Sequence, residues 1–115
     1  MVDNTRSRYY IMSSAIIDGT GRFSCERLTV DEVRDEMSQH NYISTVNNFY
    51  IINAFNTVIN PPNKLVPNRL FVRLNPKDRA IVFRLTKKAD PAVSTEELKK
   101  FFHVNHEIRL LEKID

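Results

Sequence analysis

Apolar and polar positions along this chain repeat with two different periods, and each change of period marks an element. From Val46 to Ile59 the period is helical. At ~100° per residue, Ile51, Ile52, Phe55, Val58 and Ile59 share one face, while Asn53, Asn56 and Asn60 share the opposite one. Pro61-Pro62 closes this helix, because proline has no N–H for the helical ladder. Thr29-Val-Asp-Glu32 is a capping box, in which the threonine and glutamate side chains satisfy each other's backbone donors. It predicts a second helix to about Gln39, with Val30, Val33 and Met37 on one face. Ser94-Thr-Glu-Glu97 repeats the signal and predicts a short helix to about Phe101.

Elsewhere the residues suit pleated structure. Tyr9–Ile17 reads as a strand ending in the turn Asp18-Gly19-Thr20-Gly21, which holds both glycines of the chain. Arg22–Leu28, Tyr42–Thr45 and His106–Ile114 read as further strands. Pro67–Thr86 carries two apolar runs around Asn75-Pro76-Lys77-Asp78, which predicts a β-hairpin. In that register Leu74 meets Arg79, Val72 meets Ile81, Leu70 meets Phe83, and Arg69 lies opposite Arg84. The order β, β, α, β, α, β, β, α, β predicts an α/β (α+β) fold. It is expected to be a mixed sheet of five to six strands flanked by two to three helices. Residues 1–115 are read as one domain, with 1–7 as a flexible tail.

Composition sharpens this picture at one place. The chain of 115 residues carries a net charge of +3, but unevenly. Residues 1–63 hold five basic and seven acidic side chains. Residues 64–88 hold Lys64, Arg69, Arg73, Lys77, Arg79, Arg84, Lys87 and Lys88 against Asp78 alone. A basic block between acidic flanks suits a compact anion better than a long duplex, which needs a broader basic face. The predicted pairing of Arg69 with Arg84 adds to this, since like charges directly opposite destabilise a strand pair unless an anion relieves them. Asn47 and Asn48 stand at the start of the long helix, where the dipole favours negative charge. Phe49 and Tyr50 flank its polar stripe, placed to stack on a base or to fill an interface between copies.

Other chemistries find little support in the residues. No cluster of His, Cys, Asp and Glu has zinc-ligand spacing, so no metal and no cofactor is expected. Cys25 is the single cysteine and lies among polar residues. No run approaches the ~20 apolar residues of a membrane span, and none resembles a signal peptide. The expected setting is intracellular, without a membrane.

Several spacings together resemble the viral anti-CRISPR ring nucleases, small proteins that cleave cyclic tetraadenylate, and their relatives in mobile elements. The resemblance is carried by Val66-Pro67-Asn68-Arg69, Leu74-Asn-Pro-Lys-Asp78, Ala80-Ile-Val-Phe-Arg-Leu85, Ser94-Thr-Glu-Glu-Leu98 and Ile108–Ile114. It reaches back to Tyr42-Ile-Ser-Thr-Val46 and the first strand. It implies a symmetric homodimer holding a cyclic oligonucleotide between subunits, and cleavage without metal. There a ribose 2′-hydroxyl attacks the phosphate and a histidine at the start of the long helix protonates the leaving oxygen.

This chain departs from that pattern at the chemistry. Where the family carries Gly-His-x-Ser-Thr, it has Val46-Asn47-Asn48-Phe49-Tyr50, and asparagine has no titratable proton. Ser13-Ser14-Ala15 stands near the family's first-strand Asn-Ala-Phe-Ser. Arg84 replaces the usual glutamine, and an arginine after the hairpin survives only as Lys87 or Lys88. The expected function is therefore a viral or mobile-element protein that sequesters a cyclic oligonucleotide signal against host defence, in the host cytoplasm. Expected ligand contacts are Arg69, Asn68, Asn47, Asn48, Tyr50, Arg84, Lys88, Ser13 and Ser14, with no catalytic residue. Three alternatives stay open: a ring nuclease whose acid has moved to His40 or His103, a module that kept the fold and binds a host-defence protein, and a direct RNA or DNA binder, which would show a steep salt dependence.

Overall fold

The computed structural model describes residues 8–13, 21–91 and 93–115. Along the chain run β1 (Tyr9–Met12), β2 (Phe23–Arg27), α1 (Val30–Gln39), β3 (Tyr42–Ser44), α2 (Phe49–Ile59), β4 (Arg79–Leu85), α3 (Thr95–Val104) and β5 (His106–Lys113). The strands form one sheet in the order β2-β5-β4-β1-β3. β1 pairs parallel with both β3 and β4, while β5 runs antiparallel to β4 and β2. This is the single α+β domain with a mixed five-stranded sheet and three helices that the periodicity predicts.

The helices form where the local signals put them. Thr29 Oγ1 accepts from the Glu32 amide at 3.2 Å, and Glu32 Oε1 accepts from the Thr29 amide at 2.9 Å. Both halves of the first capping box are thus made. Ser94 caps α3, whose last turn runs beyond the predicted end at Phe101. α2 starts at Phe49 because Asn48 caps it: the Asn48 Oδ1 accepts from the Tyr50 and Ile51 amides at 2.9 and 3.2 Å. Asn60 ends α2 in the left-handed conformation, at φ 50°. The predicted apolar face holds, with Ile52, Phe55, Val58 and Ile59 buried and Ile51 packed at the margin.

One sheet face carries all three helices. Ile11, Ile81, Phe83, Ile108 and Leu110 from the strands pack there with Val33, Phe55 and Phe102 from the helices. On the opposite face Tyr10, Met12 and Ala80 are buried with Leu74, while Phe23, Val72 and Val82 pack alongside. β4 is buried on both faces, the position that its nearly unbroken apolar run demands.

The predicted hairpin does not form. Both edges of β4 are occupied, by β1 and by β5, so residues 67–78 cannot pair with it. Arg84 lies in register with Glu107, not with Arg69. The apolar alternation of Leu70, Val72 and Leu74 has another use: Val72 and Leu74 lie across the second sheet face as an extended segment. The Asn75–Asp78 turn is real, with Lys77 at φ 74°. Asp78 is 3% exposed, and its carboxylate accepts from the Arg8 and Asn75 amides at 3.0 and 2.9 Å.

β1 is described only to Met12, so the predicted extension to Ile17, Ser14 and most of the Asp18–Gly21 turn lie outside the described residues, as does the 1–7 tail. Gly21 itself has φ 90°, and a Cβ there would overlap the Asp115 carbonyl.

Candidate functional site

Because β1, β3 and β4 are parallel, their carboxyl ends open on one rim of the sheet. Ligands of open sheets favour such a rim. The chain leaving β3 turns there into α2, whose first turn stands in solvent with Phe49 74% and Tyr50 40% exposed. A cleft lies on either side of that turn.

The first cleft has a volume of about 460 Å³. Ser13 at the end of β1, Thr45 and Asn47 beyond β3, and Arg69 with Leu70 on the following loop line it. The Arg69 loop is stapled in place by Asn68. Its backbone amide donates to the Val46 carbonyl at 2.9 Å, and its side-chain nitrogen donates to the Ser44 carbonyl. Asn56 on α2 anchors the same loop, exchanging two hydrogen bonds with the Leu65 backbone at 2.8 and 3.1 Å. Asn68 thus positions Arg69, and its amide nitrogen is committed to the backbone.

The second cleft is larger, about 780 Å³, between α2, the end of β4 and the loop into α3. Ile51, Leu85, Val93 and Leu98 supply apolar walls, Tyr50 one aromatic wall, and Arg84, Lys87 and Lys88 the basic residues. The Tyr50 ring is held edge-on against Phe102, 5.4 Å between centroids at 74°. The Arg84 guanidinium already donates to Glu107 Oε2 at 3.0 Å, with its side chain 59% exposed.

One predicted pocket is therefore two clefts. Ser13, Asn47 and Arg69 come together in the first; Tyr50, Arg84 and Lys88 come together in the second. The adjacent asparagines divide the work: Asn47 faces a cleft and Asn48 caps the helix. Arg69 and Arg84 do not meet, and Arg84 faces a carboxylate in place of a like charge. The histidines stand elsewhere. His40 stacks on Tyr9 at 4.1 Å and pairs with Glu36 at 3.7 Å, at the amino ends of β1 and β3. His103 is exposed in the last turn of α3.

Two ionic clusters are assembled by the tertiary structure: strand register brings Arg79 to Glu112 and Arg84 to Glu107, and α1 adds Glu36 to the first. At the amino rim Arg79 joins Glu112 at 2.7 Å and Glu36 at 3.7 Å. Burial, reinforced by Glu36, pushes the neighbouring Tyr42 phenol well above its usual range. On the helix-free face Glu107 receives Arg109 and Arg84, with Arg27 at 3.9 Å. Hydrogen bonds from Arg109 and then Arg84 hold its carboxyl below the ordinary 4.5. A depressed carboxylate stabilises the fold above its unfolded pKa, and that contribution disappears as pH falls through the folded value. Denaturant midpoints measured from about pH 6 to about pH 3 should therefore drop on the acid side, and Glu107→Gln should flatten that drop.

Among the described residues no group of three or more His, Cys, Asp and Glu could hold a metal ion. No described helix is long and apolar enough to cross a membrane.

Fold and clefts define a small one-sheet α+β protein whose cavities open at the carboxyl ends of parallel strands. The model of the STIV B116-like family matches residues 9–108, and the chain belongs to that family. The fold is similar to that of B116 of Sulfolobus turreted icosahedral virus, with a TM-score of 0.71. The match covers 92% of this chain and 99% of that one at 14% identity, a likeness of fold. No curated protein matches the sequence significantly.

Proposed function

We propose that this protein binds a cyclic oligonucleotide signal and sequesters it from a host defence system, as a homodimer in the host cytoplasm. The observation that carries this reading is the placement of two clefts, each with basic residues in its lining, on either side of the first turn of α2. One presents Arg69, Asn47 and Ser13 to phosphates; the other presents Tyr50 and an apolar wall to a base, with Lys87 and Lys88 beside it. Membership in a family named for a viral protein, and the resemblance to viral ring nucleases, favour the same ligand. A second copy has apolar surface to meet: Phe71 is 96% exposed beside Leu70 and the first cleft.

Sequestration fits the residues better than turnover. A general acid must reach the leaving oxygen within ~3 Å or through one water. Asn48 is engaged in capping, and neither His40 nor His103 is among the residues lining either cleft.

Calorimetric titration with cyclic tetraadenylate, and with cyclic di-, tri- and hexanucleotides, tests the reading. Saturable binding is expected, weakened at least ~10-fold by Arg69→Ala, since hydrogen bonds to charged groups contribute about 1.5–3 kcal/mol. Linear products with 2′,3′-cyclic phosphate ends would replace sequestration by catalysis. No heat with any cyclic nucleotide would overturn the reading in favour of a protein-binding module.

A further inference from the structure

We propose that the open edge of β2 docks an acidic extended strand of a partner protein. β2 ends the sheet, and among the described residues no strand covers its outer edge. Ser24, Cys25, Glu26 and Arg27 are all exposed there. Its register on β5 sets Arg27 directly opposite Arg109. This is the costly arginine pair that the hairpin reading assigned to other residues, and it lies on the helix-free face.

The pair is short of negative charge. Glu107 is the carboxylate it shares with Arg84, so three guanidiniums surround one anion. Arg109 and Arg84 hold that carboxylate by direct hydrogen bonds, and Arg109 Nη1 also reaches Cys25 Sγ at 3.6 Å. Arg27 is held least, 3.9 Å away with its side chain 75% exposed. A carboxylate on an added strand, opposite Arg27, would complete the cluster.

The shape of the cluster selects a strand. Glu26 points to the opposite face, opposite Leu110, and Cys25 and Phe23 continue the Arg27 face along β2. The basic strip is too narrow for a duplex, which needs a broad basic face. Charged residues on an edge ordinarily repel all added strands. On this face the charge at the edge is of one sign, so it rejects basic strands and accepts acidic ones. Main-chain hydrogen bonds along the edge would supply affinity and the arginines specificity. Arg27 and Arg109 are absent from the linings of both clefts, so this inference stands apart from the nucleotide reading.

The test uses the full chain and a fluorescent peptide alternating Glu and Thr over about seven residues, the span of an ordinary strand. Anisotropy is expected to show saturable binding, weakened about two- to fivefold by Arg27→Ala and unchanged by Arg69→Ala. A Lys–Thr peptide should not bind. The Glu–Thr peptide methylated on alternate backbone nitrogens keeps its charge but loses its edge donors, and should bind about tenfold more weakly. Equal binding of the methylated peptide, or none of the parent, would overturn strand docking. So would a single-stranded oligothymidylate that binds as tightly and depends equally on Arg27.

Discussion

Replacing Phe83 with alanine is expected to destabilise the protein by about 3–5 kcal/mol, the range for deleting a buried aromatic ring. Phe83 is 0% exposed in the middle of β4, the central strand of the sheet. Its ring meets Phe55 of α2 edge-on at 5.4 Å, and His106 of β5 stacks on it at 5.9 Å. Three elements lose contacts together, and neighbours anchored in a sheet collapse poorly into the cavity. The loss is a large share of the ~5–15 kcal/mol that holds a domain of this size folded. Phe83→Leu keeps most of the volume and should cost nearer 1.5 kcal/mol. Guanidinium unfolding followed by circular dichroism measures both. A cost below about 1 kcal/mol for the alanine variant would show that Phe83 does not sit in the centre of the core.

Asp78→Ala comes next, with an expected loss of about 3 kcal/mol. The carboxylate is 3% exposed and accepts from two backbone amides, Arg8 before β1 and Asn75 across the turn. Hydrogen bonds to a charged acceptor contribute about 1.5–3 kcal/mol, and orphaned amides add a desolvation cost. The same residue joins strands through its backbone: the Lys113 amide donates to the Asp78 carbonyl at 3.0 Å. Removing the side chain should therefore loosen the amino rim, where β1, β4 and β5 are tied together. Asp78→Asn retains one acceptor and should lose less. At ~4–8 °C per kcal/mol for a domain near this size, the alanine variant should melt more than about 10 °C lower. Hydrogen exchange should quicken first at the Arg8 and Asn75 amides. Unchanged melting would sink the assignment of Asp78 as the tie of this rim.

Both residues lie in the stretch that the sequence read as a hairpin, and each shows where local reasoning stops. The turn around Asn75–Asp78 was legible because Asn, Pro and Asp carry their own conformational preferences. The strand Arg79–Leu85 was legible from its apolar run. What they pair with was not. A run of alternating residues states that it wants a pleated, half-buried place, but not whose edge it will find. The candidate site divides in the same manner. Arg69, Asn47 and Ser13 were singled out separately and converge in one cleft, while Arg84, expected beside Arg69, turns to Glu107. The opposition of Arg27 and Arg109 could not be read at all, since the two lie 82 positions apart in sequence and only the sheet brings them together.

By itself, then, the sequence determined the three helices, their caps, the apolar faces and the concentration of positive charge in residues 64–88. Each of those depends on residues within a turn or two of one another, where backbone hydrogen bonding and side-chain spacing act locally. The tertiary structure alone decided the strand order β2-β5-β4-β1-β3, the division of the expected pocket into two clefts and the arginine cluster on the open edge. Those follow from which distant segments bury their apolar surface against each other, a competition settled by the whole core at once.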